Sequence, residues 1–98
     1  MYREQIIYRN EVSNTQDKIK VSYALFENIM IKDGVKLERV GIKIITSAEN
    51  DDICEYSVIE SRHLKKETAR EILETLYINA VLPSHLHDII SDKYEYVI

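Results

Sequence analysis

Almost everything that loosens or staples a small protein is scarce in this chain. Its 98 residues include two glycines, one proline, one cysteine and no tryptophan. So little Gly and Pro argues against a disordered polymer, whose segments bury too little apolar surface to offset their conformational entropy. The single Cys54 closes no internal disulfide, so the fold must rest on apolar burial. No apolar stretch approaches the ~20 residues that cross a bilayer. The start, Met1, Tyr2, Arg3, Glu4 and Gln5, lacks the basic segment and apolar run of a secretory signal. A cytoplasmic protein with no membrane partner is the expectation.

Concentrated positive charge is missing as well. With 13 basic and 17 acidic residues the formal charge is -4, and both the first sixty residues and the remainder are mildly acidic. Binding to a nucleic-acid backbone needs clustered Lys and Arg, so nucleic acid is not expected as a partner.

What the chain does have is 45% apolar residues and seven tyrosines. A chain of this size buries somewhat over ~60% of the surface its unfolded form exposes. One core, and therefore one domain over 1–98, follows. Tyrosine in place of Phe and Trp predicts half-buried rings whose hydroxyls reach water or backbone.

The first part, 1–61, reads as strands. Tyr2, Ile6 and Tyr8 share one parity of a first strand, which ends in the polar run 13–18, rich in side chains that favour turns. The second strand alternates most clearly, with Ile19, Val21, Tyr23 and Leu25 against Lys20, Ser22 and Ala24, predicting one buried and one wet face. Lys32-Asp33-Gly34 signals a tight hairpin, because Asp-Gly accepts positive φ. In the third strand, 35–46, the apolar phase shifts between Val35 and Leu37 and the set Val40, Ile42 and Ile44. Either a β-bulge beside Gly41 or two short strands with a kink accounts for that shift. After the loop 47–52, a fourth strand over 53–61 is apolar on both parities, as a central strand covered on both faces would be. The sequential layout predicts an antiparallel meander.

The remainder, 62–92, reads as helical. A stripe of Ala69, Ile72, Leu73, Leu76, Tyr77 and Ala80 places a long helix over about 64–79, with Glu67, Arg70, Glu71 and Glu74 opposite and Ile78 on that charged side. Pro83 stops it and opens a shorter helix carrying Leu86, Ile89 and Ile90; Ser84 is an alternative cap for that start. Residues 94–98 alternate like a short edge strand. The fold class is therefore α+β: an antiparallel sheet of about four strands with two C-terminal helices packed on one face.

Several groups invite a chemical reading. Arg62, His63, Lys65 and Lys66 crowd the start of the long helix, where the partial positive charge prefers acidic neighbours. Together with free backbone N–H groups they would suit a phosphate or carboxylate; alternatively they are solvated or paired with Glu60, Glu67 and Glu71. No Gly-rich loop offers a nucleotide cradle. His85 and Asp88 share a helix side and would form a local pair, but His85 and His87 point about 200° apart, so no metal site is expected. Cys54, between apolar neighbours on a strand, reads as a small core residue rather than an activated thiol. The acidic loop of Glu49, Asp51, Asp52 and Glu55 lacks calcium-loop spacing. Ile78, Tyr94 and Tyr96 are candidates for an interface.

Residues Leu76, Asn79, Val81, Pro83, His85, Leu86, Asp88 and Asp92, with the strand 56–61 before them, resemble a small family from Gram-positive anaerobic bacteria. That family is about a hundred residues long and is catalogued as a domain of unknown function. The resemblance implies a cytoplasmic bacterial protein and brings no activity, ligand or cofactor. The expectation is a non-enzymatic protein-interaction or regulatory module, acting on a protein partner or by self-association as a homodimer. An anion-binding protein using the basic helix start is the alternative.

Overall fold

The computed structural model describes residues 1–13, 18–48, 50 and 52–94. Four strands, β1 (Tyr2–Ser13), β2 (Lys18–Lys32), β3 (Val35–Ser47) and β4 (Ile53–Ser61), form one antiparallel sheet in the order β1-β2-β3-β4. Helix α1 (Lys66–Ile78), a 3-10 turn (Pro83–His85) and helix α2 (Leu86–Lys93) follow. This is the expected α+β meander. The polar turn around 14–17, the acidic loop residues Glu49 and Asp51, Tyr96 and the proposed edge strand beyond Tyr94 lie outside the described residues.

Both helical elements pack on one face. Val21, Tyr23 and Leu25 of β2 and Ile42 and Ile44 of β3 meet Leu64, Ala69, Ile72, Leu73 and Leu76, with Val81, Leu86 and Ile90 closing the end. The 100° spacing of α1 and the period of two in β2 bring these apolar sets together. At ~1.5–3 kcal/mol per buried side chain, this layer outweighs any surface ion pair.

Four local expectations need correction. The β2–β3 register runs unbroken from Lys20↔Ser47 to Lys32↔Val35, so β3 has neither a bulge nor a kink at Gly41. Val35 and Leu37 simply lie on the face away from the helices, near the end of a long hairpin whose Asp33 (φ 53) and Gly34 (φ 78) form the expected turn. The bulges are elsewhere. In β1 the register shifts between Ile6 and Tyr8, so Tyr2 and Ile6 face away from the helices while Tyr8 faces them. In β4 it shifts opposite Thr46 and Ser47, so Ile53 joins Tyr56 and Val58 on the outer face. A bulge adds one residue and reverses the parity beyond it, which a reading of fixed alternation misses. The fourth strand is moreover an edge of the sheet, not a central strand.

Helix α1 also ends before its apolar stripe does. Ala80 adopts φ 50 and is exposed, contrary to its expected place in the core. The Ala80 N–H donates to the Tyr77 carbonyl (3.1 Å) and the Val81 N–H to the Leu76 carbonyl (3.0 Å). These paired bonds are a left-handed helix terminus that consumes orphan carbonyls and folds Val81 back onto Leu76. The stop therefore precedes Pro83, which instead sits first in the 3-10 turn.

Candidate functional site

The basic start of α1 is dispersed. Lys66 pairs with Glu27 at 2.7 Å and, with Arg3 and Arg70, lines a polar groove of about 550 Å³ between α1 and the β1–β2 edge. Arg62, His63 and Lys65 are exposed and do not line that groove. His85 closes the 3-10 turn and Asp88 lies in the first turn of α2; both are exposed, and no hydrogen bond or ion pair joins them. Cys54 is exposed at the β4 bulge, not buried as expected, because the extra residue turns it out of the alternating pattern. No group of three or more His, Cys, Asp or Glu able to hold a metal occurs among the described residues. Ile78 is 68% exposed on the outer side of α1, and Tyr94 is half-buried against the core.

The concentration of unusual surface is the sheet face opposite the helices. Of the eleven exposed large apolar side chains among the described residues, seven lie there: Tyr2, Ile6, Met30, Val35, Leu37, Ile53 and Tyr56. No described helix covers them. A solvated outer face should carry polar groups at most positions, so this distribution is informative where a single exposed Leu would not be.

The relief of that face follows from its sequence. In the middle of β2 the outward residues Ser22, Ala24 and Phe26 are all buried rather than wet as alternation alone predicts. Gly41 sits opposite Phe26, and a Cβ there would run into the Phe26 ring and lie 2.7 Å from the Ile59 carbonyl oxygen. The missing side chain lets the ring lie flat across β3. Tyr2 tilts over it, with centroids 5.5 Å apart, making a raised aromatic end. Two rows along, the small Ser22 floors a shallow depression of about 320 Å³ bordered by Ile6, Arg9, Ile45 and Ile53.

Several charges around this face are paired in place, whereas Arg9 donates to the Ser22 hydroxyl oxygen (3.4 Å). Glu4 accepts from the Tyr2 hydroxyl (2.9 Å) and pairs with Lys43 (3.2 Å), while Lys43 also stands 5.0 Å from the centre of the Tyr56 ring. Arg39 pairs with Glu60 at 3.3 Å. Partial burial, reinforced by the hydrogen bond to Glu4 and its negative charge, pushes the Tyr2 phenol up to about 12. Tyr2 is therefore neutral at any physiological pH and packs as an apolar ring with a fixed donor. Phe26 on the supposedly wet parity of β2 was the sequence signal for this face. The two bulges hid the rest.

One family model, DUF6514, described as a family of unknown function, matches residues 3–95. No curated protein and no solved structure matches.

Proposed function

The chain therefore belongs to DUF6514, a family of unknown function, and on that premise we propose that it is a non-enzymatic protein-interaction or regulatory module. Its working surface is the open face of the sheet. The observation that carries this reading is the gathering of seven exposed large apolar side chains on that one face. An apolar centre ringed by paired charges is the anatomy of a protein interface. The reading moves the contact surface from Ile78 to the other side of the molecule. Its setting is the cytoplasm of a bacterium, consistent with the absence of any helix long and apolar enough to cross a membrane among the described residues.

Affinity capture from the native host, with the intact chain and with an Ile6→Lys/Ile53→Lys variant as bait, tests it. The intact chain should hold a partner that the variant loses, while Ile78→Lys behaves as the intact chain does. Equal capture by the intact chain and the double variant, or loss through Ile78→Lys alone, overturns it.

A second reading, anion binding near the α1 start, draws support from the groove where Arg3 and Arg70 flank the Lys66–Glu27 pair. Inorganic phosphate should then shift backbone amide resonances around Arg3 and Lys66. No response at about millimolar anion, the weak end of useful affinity, removes this reading.

A further inference from the structure

We propose that the occupant of the open sheet face is a second copy of this chain, packed face to face about a two-fold axis. The inference rests on the interaction reading above and names its partner.

A two-fold interface joins the same patch on both chains, so the patch must complement itself. This face does. The raised Tyr2–Phe26 end and the depression floored by Ser22 lie on the same side of the sheet, four residues apart along β2. At ~3.3 Å per residue the separation is about 13 Å. An axis in the plane of the interface, crossing β2 at right angles near Ala24, exchanges the two ends. Each aromatic end then fills the depression of the other copy. Ala24 has no exposed surface, so its row neighbours Ile6, Lys43 and Val58 are what meet on the axis, each against its own copy, with the sheets at the usual ~10 Å.

The same operation matches charge. Glu4 lies in the Phe26 row of β1 and Arg9 in the Ser22 row. Exchange of rows sets Glu4 of each copy against Arg9 of the other, twice per dimer. Arg39 and Glu60 are paired within the chain. Lys43 lies in the Ala24 row and meets its own copy on the axis, where Glu4 of the same chain, 3.2 Å away, offsets its charge.

Area suffices too. Four strands at ~4.8 Å spacing and the eight rows that all four share, Lys20 to Glu27 on β2, at ~3.3 Å give a flat footprint of about 510 Å². Side-chain relief brings the accessible area toward the ~800 Å² per partner of a standard interface.

The test is the mass of the full chain in solution, by light scattering and sedimentation, from about 1 to 300 µM, the range for micromolar association. The intact chain should be a dimer. Ile6→Lys/Ile53→Lys, at exposed positions, should weaken the dimer at least about a hundredfold with an unchanged circular dichroism spectrum; Tyr56→Lys serves if that pair disturbs folding. Ile78→Lys should leave the mass unchanged.

Charge exchange gives the decisive arm. Glu4→Arg sets Arg against Arg, and Arg9→Glu sets Glu against Glu, so each alone should be monomeric. Mixed, they form two matched contacts and should recover a dimer containing one of each. A monomeric intact chain, a dimer indifferent to the Lys substitutions, or no recovery on mixing overturns the second copy. If the chain is monomeric yet its capture of another protein still depends on Ile6 and Ile53, only this inference falls. If that capture is indifferent too, the interaction reading falls with it.

Discussion

At the scale of single residues, two positions carry strain or bonding that can be weighed. Ala80 occupies the left-handed terminus of α1, a conformation that costs an L-residue roughly 1–2 kcal/mol and that glycine adopts freely. Ala80→Gly should therefore raise stability by about 0.5–1 kcal/mol, after the added entropy of the unfolded chain is subtracted. Urea unfolding reads this as a higher midpoint at constant slope.

Tyr23 is fully buried, and its hydroxyl donates to the Val81 carbonyl at 2.9 Å, tying β2 to the segment beyond α1. Tyr23→Phe should cost about 1–3 kcal/mol, since it leaves a buried acceptor short of a partner. Burial also raises the Tyr23 phenol above its ordinary value. A raised acid keeps its proton in the folded state after the unfolded chain has released it. Its contribution is complete below about pH 10, the value for a free tyrosine, and is lost as pH rises further. Thermal melts should show stability falling above that pH, with a shallower fall in Tyr23→Phe; Tyr2, raised in the same sense, keeps part of the slope. A fall of equal steepness in both proteins would contradict the assignment.

At the scale of elements, α1 is held by one face only. Leu73 has no exposed surface and belongs to the core, whereas Ile78, five positions on, projects outward. Leu73→Ala should lower stability by about 2–5 kcal/mol through lost transfer energy and the cavity left behind. Ile78→Ala should stay within about 0.5 kcal/mol, as for surface positions generally. Chemical denaturation of the two variants checks the difference. The bulges act at this scale as well. A single added residue in β1 sends Tyr2 and Ile6 to one side and Tyr8 to the other, and so assigns two apolar side chains to the outer face instead of the core. On its inner side Tyr8 stacks on Tyr77, with centroids 4.6 Å apart, which ties the strand beyond the bulge to α1.

At the scale of the whole molecule the β2–β3 hairpin runs past the helices, and the principal extents are 52 × 29 × 18 Å. Its outer half carries Met30, Ile31, Val35 and Leu37, all exposed, with Ile31 at 80%. The hydrogen bonds of this half are made, but little apolar packing backs them. Local opening is easiest where such packing is thin. Native-state hydrogen exchange should therefore find the amides of 29–38 far less protected than those of 21–26 in β2. Equal protection across both halves would mean that something covers the hairpin in solution.

The sequence by itself determined the layers. Period two in Val21, Tyr23 and Leu25, the 100° stripe of Ala69, Ile72, Leu73 and Leu76, and the Asp33-Gly34 turn suffice for a meander sealed by helices, because each depends on residues close in the chain. Tertiary structure alone decided which strands bulge, that Phe26 lies across Gly41, that Cys54 is exposed, and that Lys66 leaves its basic neighbours to pair with Glu27. Those outcomes hinge on register between strands and on contacts between distant residues. A one-residue change in register reverses every side chain beyond it while leaving composition and local periodicity almost untouched.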